Sequence, residues 1–145
     1  MAELRVLSRR EASIFACLTD TVVAPEPVLP AVRQTDAVRF FDDWLGLLPP
    51  LNRAGMRTLL WAAELAPLLT GYHARLRRLD RDRRAGWLRG VERARVTQVR
   101  LLAKLIVSAA QLSYYGDDDV SVRLGYDAQA NLERGRQLRL AEGRP

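Results

Sequence analysis

The stretch from Arg93 to Asp127, RARVTQVRLLAKLIVSAAQLSYYGDDDVSVRLGYD, most constrains what this chain can fold into. Its polar residues Arg93, Thr97, Arg100, Lys104, Ser108 and Gln111 recur at steps of three or four, so on a helix they form one narrow stripe. Nearly everything else from Leu101 to Leu112 is apolar or alanine. A helix apolar around most of its circumference has to be covered by other helices or inserted in lipid. Lipid is disfavoured by length, because Lys104, Ser108 and Gln111 interrupt the run well short of the roughly 20 residues a membrane span requires. The expectation is an all-α, single-domain helical bundle of about five to seven helices around this central hydrophobic helix, with no membrane span.

The flanking sequence supplies the other helices. Ser8-Arg9-Arg10-Glu11 has the form of a capping box, after which Ile14, Phe15, Leu18 and Val22 recur at helical spacing up to Ala24-Pro25. Prolines between Pro25 and Pro30 predict an extended crossing. Thr35 or Asp36 then caps a second helix bearing Val38, Phe41, Leu45 and Leu48, with Phe40 and Trp44 beside them, and Pro49-Pro50 stops it. Asn52 is the expected N-cap of a third helix carrying Met56, Leu59, Leu60 and Ala63. The apolar beat resumes at Leu69, Tyr72, Leu76 and Leu79, so Pro67 either kinks one long helix or starts a second, and two segments meeting near Pro67 are the preferred reading. Leu79-Asp80 opens the next helix, with Trp87, Leu88 and Val91 facing inward and Gly90 a weak point before the central helix. Gly116 is placed to end that helix in the left-handed conformation, and one of Asp117, Asp118 and Asp119 to cap a short helix bearing Val120 and Leu124 and ended by Gly125. No alternating strand pattern and no internal repeat is visible. The domain reading is therefore an N-terminal extension over 1–7, a helical domain over 8–127 and a basic tail over 128–145, frayed or ordered by a partner.

At 145 residues the chain can bury roughly 70% of its unfolded surface and needs no staple. Its single cysteine, Cys17, lies among apolar neighbours, which fits a small buried hydrophobe in a reducing compartment. Arg9-Arg10 is followed at once by Glu11, and Asp20 breaks the only candidate apolar region, so no signal segment is visible and a cytoplasmic location is expected. The net charge of +6 invites a nucleic-acid reading. Against it, all the basic residues but Lys104 are arginines spread along the chain. The densest cluster, from Arg75 to Arg84, is interleaved with Asp80 and Asp82, and no stacking aromatics alternate with it.

Candidate chemistry is sparse. His73, the sole histidine, has no convergent ligands or triad partners nearby in sequence, so it reads as an ordinary surface or core histidine. Asp117 to Asp119 are consecutive, so their side chains diverge, which favours helix capping over a cation. Asp42-Asp43 would serve as an acid/base pair only with an opposing carboxylate. No phosphate-binding glycine motif appears. The expectation is a chain with no catalytic residue, metal or cofactor site of its own. Tyr114 and Tyr115, at the exit of the apolar helix, either present amphipathic area to a partner or close the domain's own core.

Two groups of residues carry a family resemblance. Leu7, Ser8, Glu11, Ala12, Leu18 and Asp20 lead to Pro25, and Tyr114-Tyr115-Gly116-Asp117 is followed by Val120 and Leu124-Gly125-Tyr126-Asp127. On these residues the chain resembles the small-subunit family represented by gluconate 2-dehydrogenase subunit 3. The resemblance implies a non-catalytic, chaperone-like helical subunit that binds and stabilises, or helps mature, a large FAD-dependent dehydrogenase of the glucose-methanol-choline class in a hetero-oligomer. FAD and the catalytic groups would lie in that partner, and Tyr114, Tyr115, Val120, Leu124 and Tyr126 would meet it. Family members often carry a twin-arginine signal, from which this sequence departs, so the resemblance implies either a cytoplasmic complex or a partner that supplies its own export signal. The alternative is a basic helical nucleic-acid-binding protein using Arg75 to Arg84, and salt-sensitive retention of nucleic acid discriminates the two.

Overall fold

Ser8 opens the first helix as its spacing from Glu11 predicts. Its hydroxyl accepts the Glu11 N–H, and the Glu11 carboxylate accepts the Ser8 N–H at 2.8 Å. The helix this cap starts, α1 (Arg9–Val23), buries Ile14, Phe15 and Leu18 on one face. It ends at Ala24, which Pro25 keeps out of right-handed helical geometry and which turns left-handed, with a φ of 39°.

The computed structural model describes residues 4–126 and 128–141. Among them the chain is all-α: α1 is followed by α2 (Ala37–Leu47), α3 (Pro50–Leu69), α4 (Arg81–Glu92), α5 (Thr97–Tyr115), α6 (Asp118–Arg123) and α7 (Ala128–Ala141). Short 3-10 turns lie at Val32–Gln34 and Leu76–Arg78, and no strand is present among the described residues. No helix there is long and apolar enough to cross a membrane. Residues 1–3 of the expected extension, residues 142–145 of the expected tail, and Asp127 lie outside the described residues.

The bundle has a central hydrophobic helix, and α1 holds that place, with α2, α3, α4 and α5 all packed against it. Phe15 stacks on Phe41 of α2 with ring centroids 3.7 Å apart. The main core continues through Leu60, Trp87 and Ile106, and a second, smaller core gathers Val32, Ala37, Tyr114 and Val120. The helix expected at the centre, α5, lies alongside α1 and is covered on one side only. Its inward residues are mostly small, Ala103, Ala109, Ala110 and Ser113 beside Ile106, which lets it approach α1 closely while the bulk filling the middle comes from α1 and α2.

Two buried acids and one partly exposed one tie the helices together. Glu11, almost fully buried, accepts from Arg57 of α3 at 2.9 Å, and Glu64 accepts from Arg77 at 3.0 Å. Asp20 pairs with both Arg81 and Arg84 of α4, and Arg84 also donates to the Thr21 hydroxyl.

Three local expectations are corrected. The third helix begins at Pro50 rather than after Asn52, because proline at the first helical position removes a donor that has no intrahelical partner anyway. It then runs through Pro67 to Leu69 as one helix: the proline sits in the last turn, and the break comes at Gly71, whose φ of 87° a side chain would resist. Beyond it only the 3-10 turn at Leu76–Arg78 is helical before α4. Gly116 is right-handed rather than left-handed; it is required because a Cβ there would stand 2.7 Å from the Leu112 carbonyl oxygen. Residues 128–141, in the expected tail, form α7.

Candidate interaction surface

The five residues expected at a partner interface divide between core and surface. Tyr114 and Val120 are fully buried, so neither reaches a partner in this structure, whereas Tyr115, Leu124 and Tyr126 are exposed. The Tyr114 hydroxyl donates to the Pro30 carbonyl at 2.7 Å, and burial, with lesser contributions from Tyr115 and Asp117, pushes its pKa up. Asp117 has a matching task. One of its oxygens accepts the Asp36 N–H at 2.8 Å, and the other accepts the N–H groups of Asp119 and Val120 to cap α6. Together with the tight Gly116, these residues latch the α5–α6 junction onto the segment entering α2.

The larger exposed apolar surface is on α5 itself. Leu101, Leu105 and Leu112 recur at steps of four and seven along the side away from α1, and Leu112 is 68% exposed. Residues Val99, Leu102, Ala103 and Ile106 turn from this side into a groove of about 300 Å³ between α3, α4 and α5. Leu59, Ala62, Ala63, Ala66 and Thr70 of the α3 strip form the opposite wall, and Trp87, Leu88 and Val91 the α4 side. Trp87 is buried, and its indole N–H is a buried side-chain donor without an acceptor. Outside the groove, α3 leaves Leu65, Leu68 and Leu69 exposed, the last by 89%.

Sequence reasoning missed this face. It registered that α5 is apolar on nearly every side, but inferred full coverage. The informative signal was the small residues of its inner face, which seat the helix against α1 without surrounding it.

The other candidate groups have structural surroundings. Asp42 is 2% exposed and accepts the N–H groups of Arg5, Val6 and Leu7, while Asp43 faces Arg5 and Arg39 at 3.7 and 3.9 Å. His73 is exposed in the loop after α3, not in a helix, at a φ of 53°. Cys17 is partly buried, and burial raises its thiol pKa, which disfavours the thiolate a nucleophile needs. Asp36 and Asp117 to Asp119 line a shallow depression of about 420 Å³. No group of three or more His, Cys, Asp or Glu side chains placed to hold a metal ion occurs among the described residues.

The Arg75–Arg84 cluster is also engaged in the fold. Arg77, Arg81 and Arg84 pair with acids on α3 and α1, and Arg83 donates to the Tyr72 carbonyl and lies over its ring. The interleaved Asp80 caps α4 instead of pairing with its neighbours. Compared with known proteins, the chain matches no family model, no curated protein and no solved structure.

Proposed function

We propose that this chain is a non-catalytic binding subunit that stabilises or helps mature a larger protein in a hetero-oligomer. The observation that carries this reading is the uncovered apolar side of α5, continuous with the groove against α3 and α4. Contiguous apolar surface of this kind is costly to leave in water and marks protein contact surfaces. Leu101, Leu105 and Leu112 share it with Lys104, Ser108 and Gln111, an apolar stripe edged by polar groups that suits a docking face better than a core.

The partner class rests on the resemblance carried by Leu7 to Pro25 and Tyr114 to Asp127. On that basis the larger protein is an FAD-dependent dehydrogenase of the glucose-methanol-choline class, which supplies flavin, substrate pocket and catalytic groups. Exposed Tyr115, Leu124 and Tyr126 remain candidates to meet it, with Tyr114 and Val120 holding the scaffold beneath. The unpaired Cys17 favours a reducing, cytoplasmic setting for the complex.

The test is co-expression with an FAD-dependent dehydrogenase of that class from the same source, followed by affinity capture of the small chain. The expected result is an eluate with flavin absorbance in stoichiometric proportion, and a lower yield of folded flavoprotein when the small chain is omitted. Independent elution with unchanged flavoprotein yield overturns the reading.

A further inference from the structure

The depression where the end of α5 and the start of α6 face the start of α2 carries charge of one sign on its own lining. Asp36, Asp117, Asp118 and Asp119 bring four carboxylates to it, and no basic residue lines it. None of the four is in an ion pair among the described residues. Capping occupies the Asp117 carboxylate, and Asp118 and Asp119 suit the first turn of a helix, but Asp36 stands at the N-cap of α2 without making a capping bond. The bases on the same elements lie off the lining. Arg39 faces Asp43, Arg123 donates to the Val28 carbonyl, and Arg33 belongs to the exposed side of its turn. On α5 the nearest base is Lys104, nine residues before Ser113 and so roughly 14 Å along the helix.

Acids gathered at helix starts are ordinary; Ser113 is not. It is 2% exposed, yet its hydroxyl makes no hydrogen bond among the described residues. The one fully enclosed side-chain nitrogen or oxygen without a partner there is the indole nitrogen of Trp87, so the Ser113 oxygen is not sealed in, and it opens onto the depression it lines. Buried hydroxyls are normally satisfied, so this one is open to a group from outside. Phe40, 48% exposed, adds an aromatic ring to the wall.

We propose that this depression is a binding site for a linear polyamine. Its ammonium groups donate to the Ser113 hydroxyl and the carboxylates, and the methylene segments between them lie against Phe40, whose ring face also attracts cations. Water would satisfy Ser113 but leave the carboxylates unpaired. The acids are not placed to close on a single metal ion, whereas a chain bearing several ammonium groups reaches carboxylates that do not converge. One arginine or lysine side chain would bring a single charge to four. The volume of about 420 Å³ lies within the roughly 300–1,000 Å³ of small-molecule sites.

This inference is independent of the binding-subunit reading, because its test needs the small chain alone. The experiment is calorimetric titration of the full chain with spermidine, with magnesium chloride at matched ionic strength and a Lys/Arg-rich peptide as comparison probes. The expected result is saturable binding of spermidine at least about tenfold tighter than of magnesium or the peptide. Combined Asp118→Asn and Asp119→Asn, at exposed positions, lowers spermidine affinity by about tenfold. Ser113→Ala removes no hydrogen bond of the fold, so the denaturation midpoint holds while spermidine binds about threefold less tightly. In the natural chain, spermidine shifts the amide resonances of Phe40 and Ser113. No saturable spermidine binding, magnesium or the peptide binding as tightly, unmoved Phe40 and Ser113 resonances, or spermidine affinity indifferent to the aspartate pair or to Ser113→Ala each overturns it.

Discussion

Asp42 holds three consecutive backbone N–H groups, those of Arg5, Val6 and Leu7, at 2.6 to 3.1 Å while almost entirely withdrawn from water. It thereby fastens the segment before α1 onto α2 and delivers Ser8 to its capping position. Truncation leaves those donors unpaired, two of them around the buried Leu7, so Asp42→Ala is expected to destabilise the fold by about 2–4 kcal/mol in chemical denaturation, and Asp42→Asn by less because one acceptor oxygen survives. Glu11 makes a second prediction, with a definite sign. Burial raises its pKa, but hydrogen bonds from Arg57 and Ser8 outweigh it, and the carboxyl ends below the ordinary glutamate range. The folded state then binds fewer protons at Glu11 than the unfolded state does. The Glu11 contribution is fully present above the unfolded pKa of about 4.3 and is lost as pH falls through the lower folded value. Denaturation midpoints followed downward from pH 6 should fall more steeply below about pH 4 for the natural chain than for Glu11→Gln, which starts less stable and titrates nothing at this position.

At the scale of elements, the α5–α6 junction is held by contacts that cross most of the chain: Tyr114 to Pro30 spans 84 residues and Asp117 to Asp36 spans 81. Tyr114→Phe removes one hydrogen bond and strands the Pro30 carbonyl, an expected cost of about 1–2 kcal/mol. Asp117→Ala removes the α6 cap as well as the Asp36 contact, at about 1–2 kcal/mol, and should speed amide exchange of Asp36 and Val120 above that of the α1 core. These long spans explain what the sequence could and could not disclose. Ser8 with Glu11, Pro49-Pro50 and the inward Trp87 and Leu88 were legible because their causes lie within one or two turns. The burial of Tyr114 and Val120 was not, because it depends on the proline-rich crossing returning beneath α5, and nothing local encodes that return. Likewise the periodicity of α5 displays which of its sides are apolar, but whether a neighbour reaches each side depends on where the other helices go. That is why the groove went unread while the helix was recognised.

For the whole molecule, the charge and the exposed leucines belong to one problem. An excess of six positive charges keeps copies of the chain apart, and a bare strip of Leu101, Leu105 and Leu112 would otherwise draw them together. Screening the charge should therefore weaken the repulsion faster than it affects the apolar attraction, which salt does not diminish. The free chain is expected to remain monomeric at low ionic strength and to associate as salt rises, as followed by light scattering. A Leu105→Ser/Leu112→Ser variant separates that behaviour from folding. Both side chains are exposed, at 43% and 68%, and neither belongs to a core cluster, so stability should change by no more than about 1 kcal/mol. The same variant should lose salt-induced association and retain less of a captured partner. A variant that unfolds instead would place these leucines in the core of the molecule, and a variant that folds and still associates would put the sticky surface somewhere other than α5.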